Sequence, residues 1–144
     1  MKILIVHGPN LNILGQRDRE VYGSKTLEEI NSLLGERAGE LGVEIIAFQS
    51  NSEGALIDFI QAQSPQAAGI VINPGALTHY GLSLRDALAD TLLPIIEVHL
   101  SNIYAREGFR RESVIAPIAK GSISGLGWRG YIVALEILAS SARE

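Results

Sequence analysis

Ile3-Leu4-Ile5-Val6-His7-Gly8-Pro9-Asn10 begins the chain with a short apolar run that stops abruptly at a turn. Two later stretches repeat the pattern. Gly69-Ile70-Val71-Ile72 ends in Asn73-Pro74-Gly75, and Ile95-Ile96 passes through Glu97 and His99 to Ser101-Asn102. Short β-branched runs bounded by turn residues are expected of strands covered on both faces of a parallel sheet. In such sheets ligands bind just beyond the carboxyl ends of the strands. All three histidines, His7, His79 and His99, fall at or shortly after such ends. That is the layout of an active site.

The segments between these strands carry helix signals. Thr26 and Glu29 form a capping box, Leu27, Ile30, Leu34, Ala38 and Leu41 share one helical face, and Gly42 is the stop. Val43 to Phe48 reads as the next strand. Ser50 with Glu53 suggests a second capping box, leading to Leu56, Ile57 and Ile60 before Ser64-Pro65. Leu82 to Leu92 reads as a helix broken before Pro94. Ser113-Val114-Ile115-Ala116 is the expected last strand, followed by a Gly-rich turn and a helix from about Trp128 to Ser141. Five strands alternating with helices predict a three-layer α/β sandwich around a parallel sheet. The size of the chain favours the flavodoxin-like strand order 2-1-3-4-5.

At 144 residues the chain is expected to be one domain, residues 1–144, with a core of its own. Its 47% hydrophobic and 19% charged residues describe a globular protein rather than a disordered one. A net charge of -4 argues against nucleic acid as the main partner, since phosphate binding needs a cationic face. The absence of cysteine removes disulfides, thiolate nucleophiles and cysteine-ligated metals from consideration. The apolar run before His7 is too short for a signal peptide or membrane span, so a cytoplasmic protein without a membrane partner is expected.

One connection is too long. From His7 to about Lys25 there is no convincing periodicity, whereas βα connections usually run about 2–6 residues. The stretch carries Asn10, Arg17, Asp18, Arg19, Glu20 and Tyr22, with Gly15 and Gly23 as possible hinges. Read functionally, residues 10–24 are an active-site lid; the plain alternative is a solvated excursion. Tyrosine has a reference pKa of about 10 and is a poor base unless cations stabilise the phenolate. Arg17 and Arg19 are such cations, although a tyrosine that merely packs a lid is the commoner case.

Glu97 and His99 lie two residues apart on a strand and therefore share a face. There the carboxylate can hold the imidazole and favour its protonated form, making a general acid. Backbone N–H groups near Ser101 are available to an anion. Asn73 and His79 offer an amide and an imidazole, and Arg106, Arg110 and Arg111 add cations suited to a small carboxylate. Neither Gly-x-Gly-x-x-Gly nor a Walker loop is present, and Gly121-Ser122-Ile123-Ser124-Gly125 has the wrong spacing for a nucleophile elbow. With only Lys2, Lys25 and Lys120, Schiff-base chemistry has few candidates. Cofactor-free acid–base chemistry on a small polar anion remains.

Several motifs now occur in a recognisable order: His7-Gly-Pro-Asn-Leu-Asn-Ile-Leu-Gly-Gln-Arg17, Tyr22-Gly23, Gln49-Ser-Asn-Ser-Glu-Gly54, Asn73-Pro-Gly-Ala-Leu-Thr-His79, Leu84-Arg-Asp-Ala87, Ile96-Glu-Val-His-Leu-Ser-Asn102 and Arg106-Glu-Gly-Phe-Arg110. Over nearly its whole length the chain resembles the type II 3-dehydroquinate dehydratases. The resemblance implies a hydro-lyase of the shikimate pathway that converts 3-dehydroquinate to 3-dehydroshikimate by anti elimination through an enolate. It implies Tyr22 as the base, Arg17 as the cation that lowers its pKa, His99 as the acid oriented by Glu97, and Asn10 as the holder of an enolate-stabilising water. It further implies substrate binding by Asn73, His79, Asp86, the Leu100-Ser101 backbone and Arg110. Asp86 is implied to reach a neighbouring subunit's site, in trimers that assemble into a dodecamer. Neither metal nor organic cofactor is implied.

Leu77 stands where a tyrosine is frequent in the family, Tyr80-Gly81 replaces a pair that is often small and hydroxylated, and Gly108 replaces a polar residue. None of these is a matched catalytic position. Two other readings are a non-catalytic flavodoxin-like ligand-binding module and a metal-dependent hydrolase built on His79, Glu97 and His99. A phospho-receiver would need carboxylates after strand one and an aspartate ending strand three, where His7 and Asn73 stand.

Overall fold

The computed structural model describes residues 1–141. In chain order its regular elements are β1 (Lys2–His7), α1 (Arg19–Tyr22), α2 (Leu27–Leu41), β2 (Glu44–Gln49), α3 (Glu53–Gln63), β3 (Gly69–Asn73), α4 (Leu82–Asp90), β4 (Ile95–His99), β5 (Gly121–Ser124) and α5 (Arg129–Ser141). The sheet is parallel throughout, with the expected order β2-β1-β3-β4-β5.

Alternation along the strands assigns each side chain to a layer. Ile3 and Ile5 of β1, Val71 of β3, and Ile96 and Val98 of β4 pack with Ile30 and Leu34 of α2 and Leu135 and Leu138 of α5. Leu4, Val6, Ile70, Ile72 and Ile95 face the other way, onto Leu56 and Ile60 of α3 and Leu84 and Leu88 of α4. Ile3 to Val6 are fully excluded from solvent. Truncating any of the larger ones to alanine should cost about 2–5 kcal/mol.

The Thr26–Glu29 capping box forms: the Thr26 hydroxyl accepts the Glu29 N–H, and the Glu29 carboxylate accepts the Thr26 N–H. The Ser50–Glu53 box does not. Ser52 caps α3 by accepting the Ala55 N–H, while Ser50 accepts the Ser52 N–H in the preceding turn. Glu53 reaches across to the Leu84 N–H, capping α4, whose own N-cap residue Gly81 has no side chain to do so. α4 stops at Asp90, before the expected Leu92. The Thr91 hydroxyl donates to the Leu88 carbonyl and accepts the Leu93 N–H, turning the chain out of the helix.

The largest correction concerns the last strand. Ser113–Ala116 is not in the sheet; β5 is Gly121–Ser124, the segment expected to be a turn. An edge strand half open to solvent needs no apolar run, so Gly-Ser-Ile-Ser suffices there. Ile115 is instead buried in the α3/α4 layer. No α-helix joins β4 to β5; single turns of 3₁₀ helix at Ile103–Ala105, Gly108–Arg111 and Ala116–Ile118 make the connection.

Candidate active site

The turns after β1 and β3 meet at the top of the sheet. A Cβ at Gly8 would stand 2.3 Å from the Pro74 carbonyl oxygen, and one at Gly75 2.9 Å from that of Pro9. Only glycine at both positions lets the two turns approach this closely. The cleft beside them is lined by Asn10, Arg17, Tyr22, Asn73, His79, His99, Leu100, Ser101 and Arg110. Nine of the eleven residues expected in the site therefore share one cleft. Glu97 lies behind His99, and Asp86 is exposed on α4 outside the lining.

The stretch from His7 to Lys25 is more ordered than its lack of periodicity suggests. Leu11 and Leu14 are buried in the α2/α5 layer, and residues 11–13 form a 3₁₀ turn. Only the part beyond them stands clear of the core, and it contains α1. Asp18 caps α1 by accepting the Glu20 N–H. Tyr22 ends that helix with its ring against the core, and the Arg17 guanidinium carbon lies 3.9 Å from the ring centroid. This cation–π contact keeps a positive charge at the phenol. Asn10 adopts a left-handed backbone conformation (φ 70°) that asparagine tolerates, and its N–H donates to the Asn51 side-chain oxygen at 2.9 Å. Gln49 steadies the same turn through the Gly8 carbonyl and Asn51.

β4 delivers Glu97 and His99. Glu97 is 1% and His99 6% exposed. The His99 Nε2 lies 2.5 Å from a Glu97 carboxylate oxygen. Thr78 donates to that oxygen as well, and Ser113 donates across both carboxylate oxygens. Burial pushes the Glu97 carboxyl up, but the hydrogen bonds from His99, Thr78 and Ser113, with the His99 charge, hold it below the usual carboxylate range. Neither Thr78 nor Ser113 was among the expected site residues.

His79 Nδ1–H donates to the Glu112 carbonyl at 2.6 Å, and Phe109 meets the ring edge-on. The carbonyls of His99, Leu100 and Ser101 are taken by Gly125 N–H, Gly127 N–H and the Ser124 hydroxyl. The segment therefore offers a ligand its backbone N–H groups. Arg106 joins Arg17 and Arg110 in the lining, so the cleft is cationic in a chain of net negative charge.

His7 takes no part in the lining. Its Nε2 meets the Asn31 side-chain oxygen at 2.8 Å and its Nδ1 the Tyr131 hydroxyl at 2.9 Å. Burial lowers its pKa to about 4, the Asn31 hydrogen bond opposing, so the ring is neutral at pH 7. An amide oxygen only accepts, so Nε2 carries the hydrogen and Nδ1 accepts from Tyr131. Tyr131 is itself hydrogen-bonded by Asn73, whose own oxygen accepts the Gly75 N–H. A buried string from α2 through α5 thus orients an amide of the cleft.

Two side chains whose chemistry allows proton transfer, a tyrosine under a guanidinium and a histidine backed by a carboxylate, line one cationic cleft. Among the described residues, no group of three or more His, Cys, Asp or Glu side chains is placed to hold a metal. No described helix is long and apolar enough to cross a membrane.

The model of the family described as Dehydroquinase class II matches residues 1–139. Over 138 residues the chain is 67% identical to the 3-dehydroquinate dehydratase of Roseiflexus castenholzii, covering 96% of this chain and 88% of that one. It is 58% identical to the 3-dehydroquinate dehydratase of Pelotomaculum thermopropionicum, covering 99% of each. The crystal structure of a type II dehydroquinase from Butyrivibrio crossotus superposes with a TM-score of 0.93 at 46% identity, over 96% of this chain and 97% of that one.

Proposed function

The chain belongs to the class II dehydroquinases, and from that membership and the geometry of the cleft we propose how its residues divide the reaction. As a member it is a hydro-lyase of the shikimate pathway, acting on 3-dehydroquinate. The observation that carries the mechanistic reading is that one cleft is lined both by Tyr22, with Arg17 over its ring, and by His99, backed by Glu97.

Tyr22, as phenolate beside Arg17, removes the C2 proton next to the substrate ketone. The electron pair left on C2 delocalises onto the ketone oxygen as an enolate, which a water held by Asn10 stabilises. The enolate re-forms the carbonyl as the C2–C1 double bond forms and the C1–O bond breaks. The departing hydroxyl takes the proton of His99 and leaves as water. Base and acid come from separate elements, α1 and β4, and the elimination proposed is anti. Asn73, His79, the Leu100-Ser101 backbone N–H groups and Arg110 bind the substrate's hydroxyls and carboxylate. The loop carrying Arg17 and Tyr22 closes over it as a lid.

Asp86, exposed and outside this cleft, acts in the cleft of a neighbouring subunit. The exposed apolar Tyr80 and Leu82 close to it support burial against another copy. The assembly proposed is a trimer built up to a dodecamer, in the cytoplasm, and native mass spectrometry reads it directly. The reaction itself is tested by mixing pure protein with 3-dehydroquinate and following the ultraviolet absorbance of the conjugated enone. Growth of that absorbance is expected. Folded protein that gives none overturns the assignment.

A further inference from the structure

Ser113 sits in the stretch whose sequence looks most like a strand and which the fold uses as a turn. Its Oγ accepts two backbone N–H groups, from Ile115 at 3.1 Å and Ala116 at 2.9 Å. A hydroxyl oxygen has two lone pairs, and both are occupied. Its single hydrogen is therefore free only to be donated; within reach are the Glu97 oxygens at 2.8 and 2.9 Å and Thr78 Oγ1 at 2.8 Å, and the charged carboxylate is the stronger acceptor. Thr78 lies against the same carboxylate, its Oγ1 2.8 Å from Ser113 Oγ. With the Ser113 oxygen saturated, the Thr78 hydrogen also goes to Glu97.

The consequence concerns where a proton can reside. If Glu97 were a carboxylic acid, its hydrogen would need an acceptor. The Ser113 oxygen is filled, and Thr78 directs its own hydrogen at the carboxylate. The remaining acceptor is His99 Nε2. A proton shared by the pair is thus pushed toward the imidazole by two hydroxyl donors on the far side of the carboxylate. The other polar groups of the cleft, Arg17, Tyr22, His79, Arg106 and Arg110, lie in its lining and are not hydrogen-bonded to Glu97.

We propose that Thr78 and Ser113 are positioning residues for the elimination: they aim two hydroxyl hydrogens at Glu97, keep its carboxylate free of a proton and so hold the transferable proton on His99. Neither is among the residues that line the cleft. The backbone N–H groups of Ile115 and Ala116 set the direction of the whole string, which gives the turn at residues 113–116 a chemical reason to exist. The inference rests on the acid role proposed for His99.

The test compares Thr78→Val, which removes one donor at nearly constant volume, with Thr78→Ser, which restores it, and with Ser113→Ala. Steady-state kinetics with 3-dehydroquinate should show kcat lowered about tenfold to a hundredfold in Thr78→Val and Ser113→Ala, with KM nearly unchanged. Thr78→Ser should recover most of the loss. In protein labelled with ¹³C at the glutamate carboxyls, with Glu97 assigned by its absence in Glu97→Gln, the Glu97 titration should move up by about one pH unit in Thr78→Val. An unmoved Glu97 titration, a loss carried by KM, or a Thr78→Ser enzyme as impaired as Thr78→Val overturns the inference. If Ser113→Ala does not fold, the threonine pair decides alone. The carboxyl titration reads the positioning without turnover, so inactive wild-type protein counts against the proposed reaction and an unmoved titration against this inference.

Discussion

The ends of β1 and β4 present the same residue type in almost the same place and use it in opposite ways. His7 closes β1, fully buried, and His99 closes β4, nearly so. His7 follows Ile3 and Ile5 by alternation and so points into the α2/α5 layer, where Asn31 and Tyr131 hold it neutral. His99 follows Ile95 and Glu97 and points to the other face, where a carboxylate, two hydroxyls and the cleft await it. A histidine at a strand end is thus uninformative until its parity is known. The face decides whether it becomes a clamp or an acid.

The largest effect should come from breaking the β4 side. His99→Ala is expected to lower kcat by roughly 10²- to 10⁴-fold, the range of one general acid. Tyr22→Phe should do the same, and because the ring stays on the core beneath Arg17, its melting temperature should remain that of wild type. Steady-state kinetics and thermal unfolding measure both. A Tyr22→Phe enzyme with normal turnover would dismiss Tyr22 as the base.

The next effect separates the two strand ends by pH. His7 unfolded takes up a proton near pH 6.5 but resists it in the native state until about pH 4. Between those values the unfolded chain binds more protons, so stability falls as pH falls, by about 3 kcal/mol in all. Glu97 behaves differently. Its native pKa lies below the usual carboxylate range, so its contribution is present above the unfolded value and disappears only as pH drops through the lower native one. Urea unfolding from pH 7 to pH 3 should therefore show the His7 loss first. His7→Gln should flatten the upper window and leave the lower one, with kcat at pH 7 suffering far less than in His99→Ala. A wild-type-like slope in His7→Gln would refute the buried neutral imidazole.

The same comparison explains what the sequence disclosed. β1, β3 and β4 were legible because strands covered on both faces must be apolar, and α2 because Thr26, Glu29 and Gly42 mark its ends locally. β5 was not, since an edge strand of Gly-Ser-Ile-Ser carries no such signal, while Val114-Ile115 imitated one. Glu97 with His99 could be paired because alternation needs only two residues. Thr78 and Ser113 could not: they lie 19 and 16 positions from Glu97 and meet it only through tertiary packing. Glu53 misled for the same reason, since its partner is Leu84 and not its own helix. Asn51 stood within a recognisable motif, yet nothing local tied it to the backbone of Asn10.

The smallest expected effect tests whether the β1 clamp reaches the cleft at all. Asn31→Ala removes the acceptor of the His7 Nε2–H, which should cost about 1–2 kcal/mol of stability by urea unfolding. The imidazole can then relieve itself only by moving its hydrogen to Nδ1, which turns the Tyr131 hydroxyl hydrogen toward Asn73. That meets the Asn73 amide donor head-on, and flipping the amide would give up the Gly75 N–H bond. The strain lands on a group proposed to bind substrate, not on one that moves a proton. KM should accordingly rise by roughly threefold while kcat holds. Loss in kcat instead would mean that the two strand ends are coupled in the chemical step, and the division between clamp and acid would have to be redrawn.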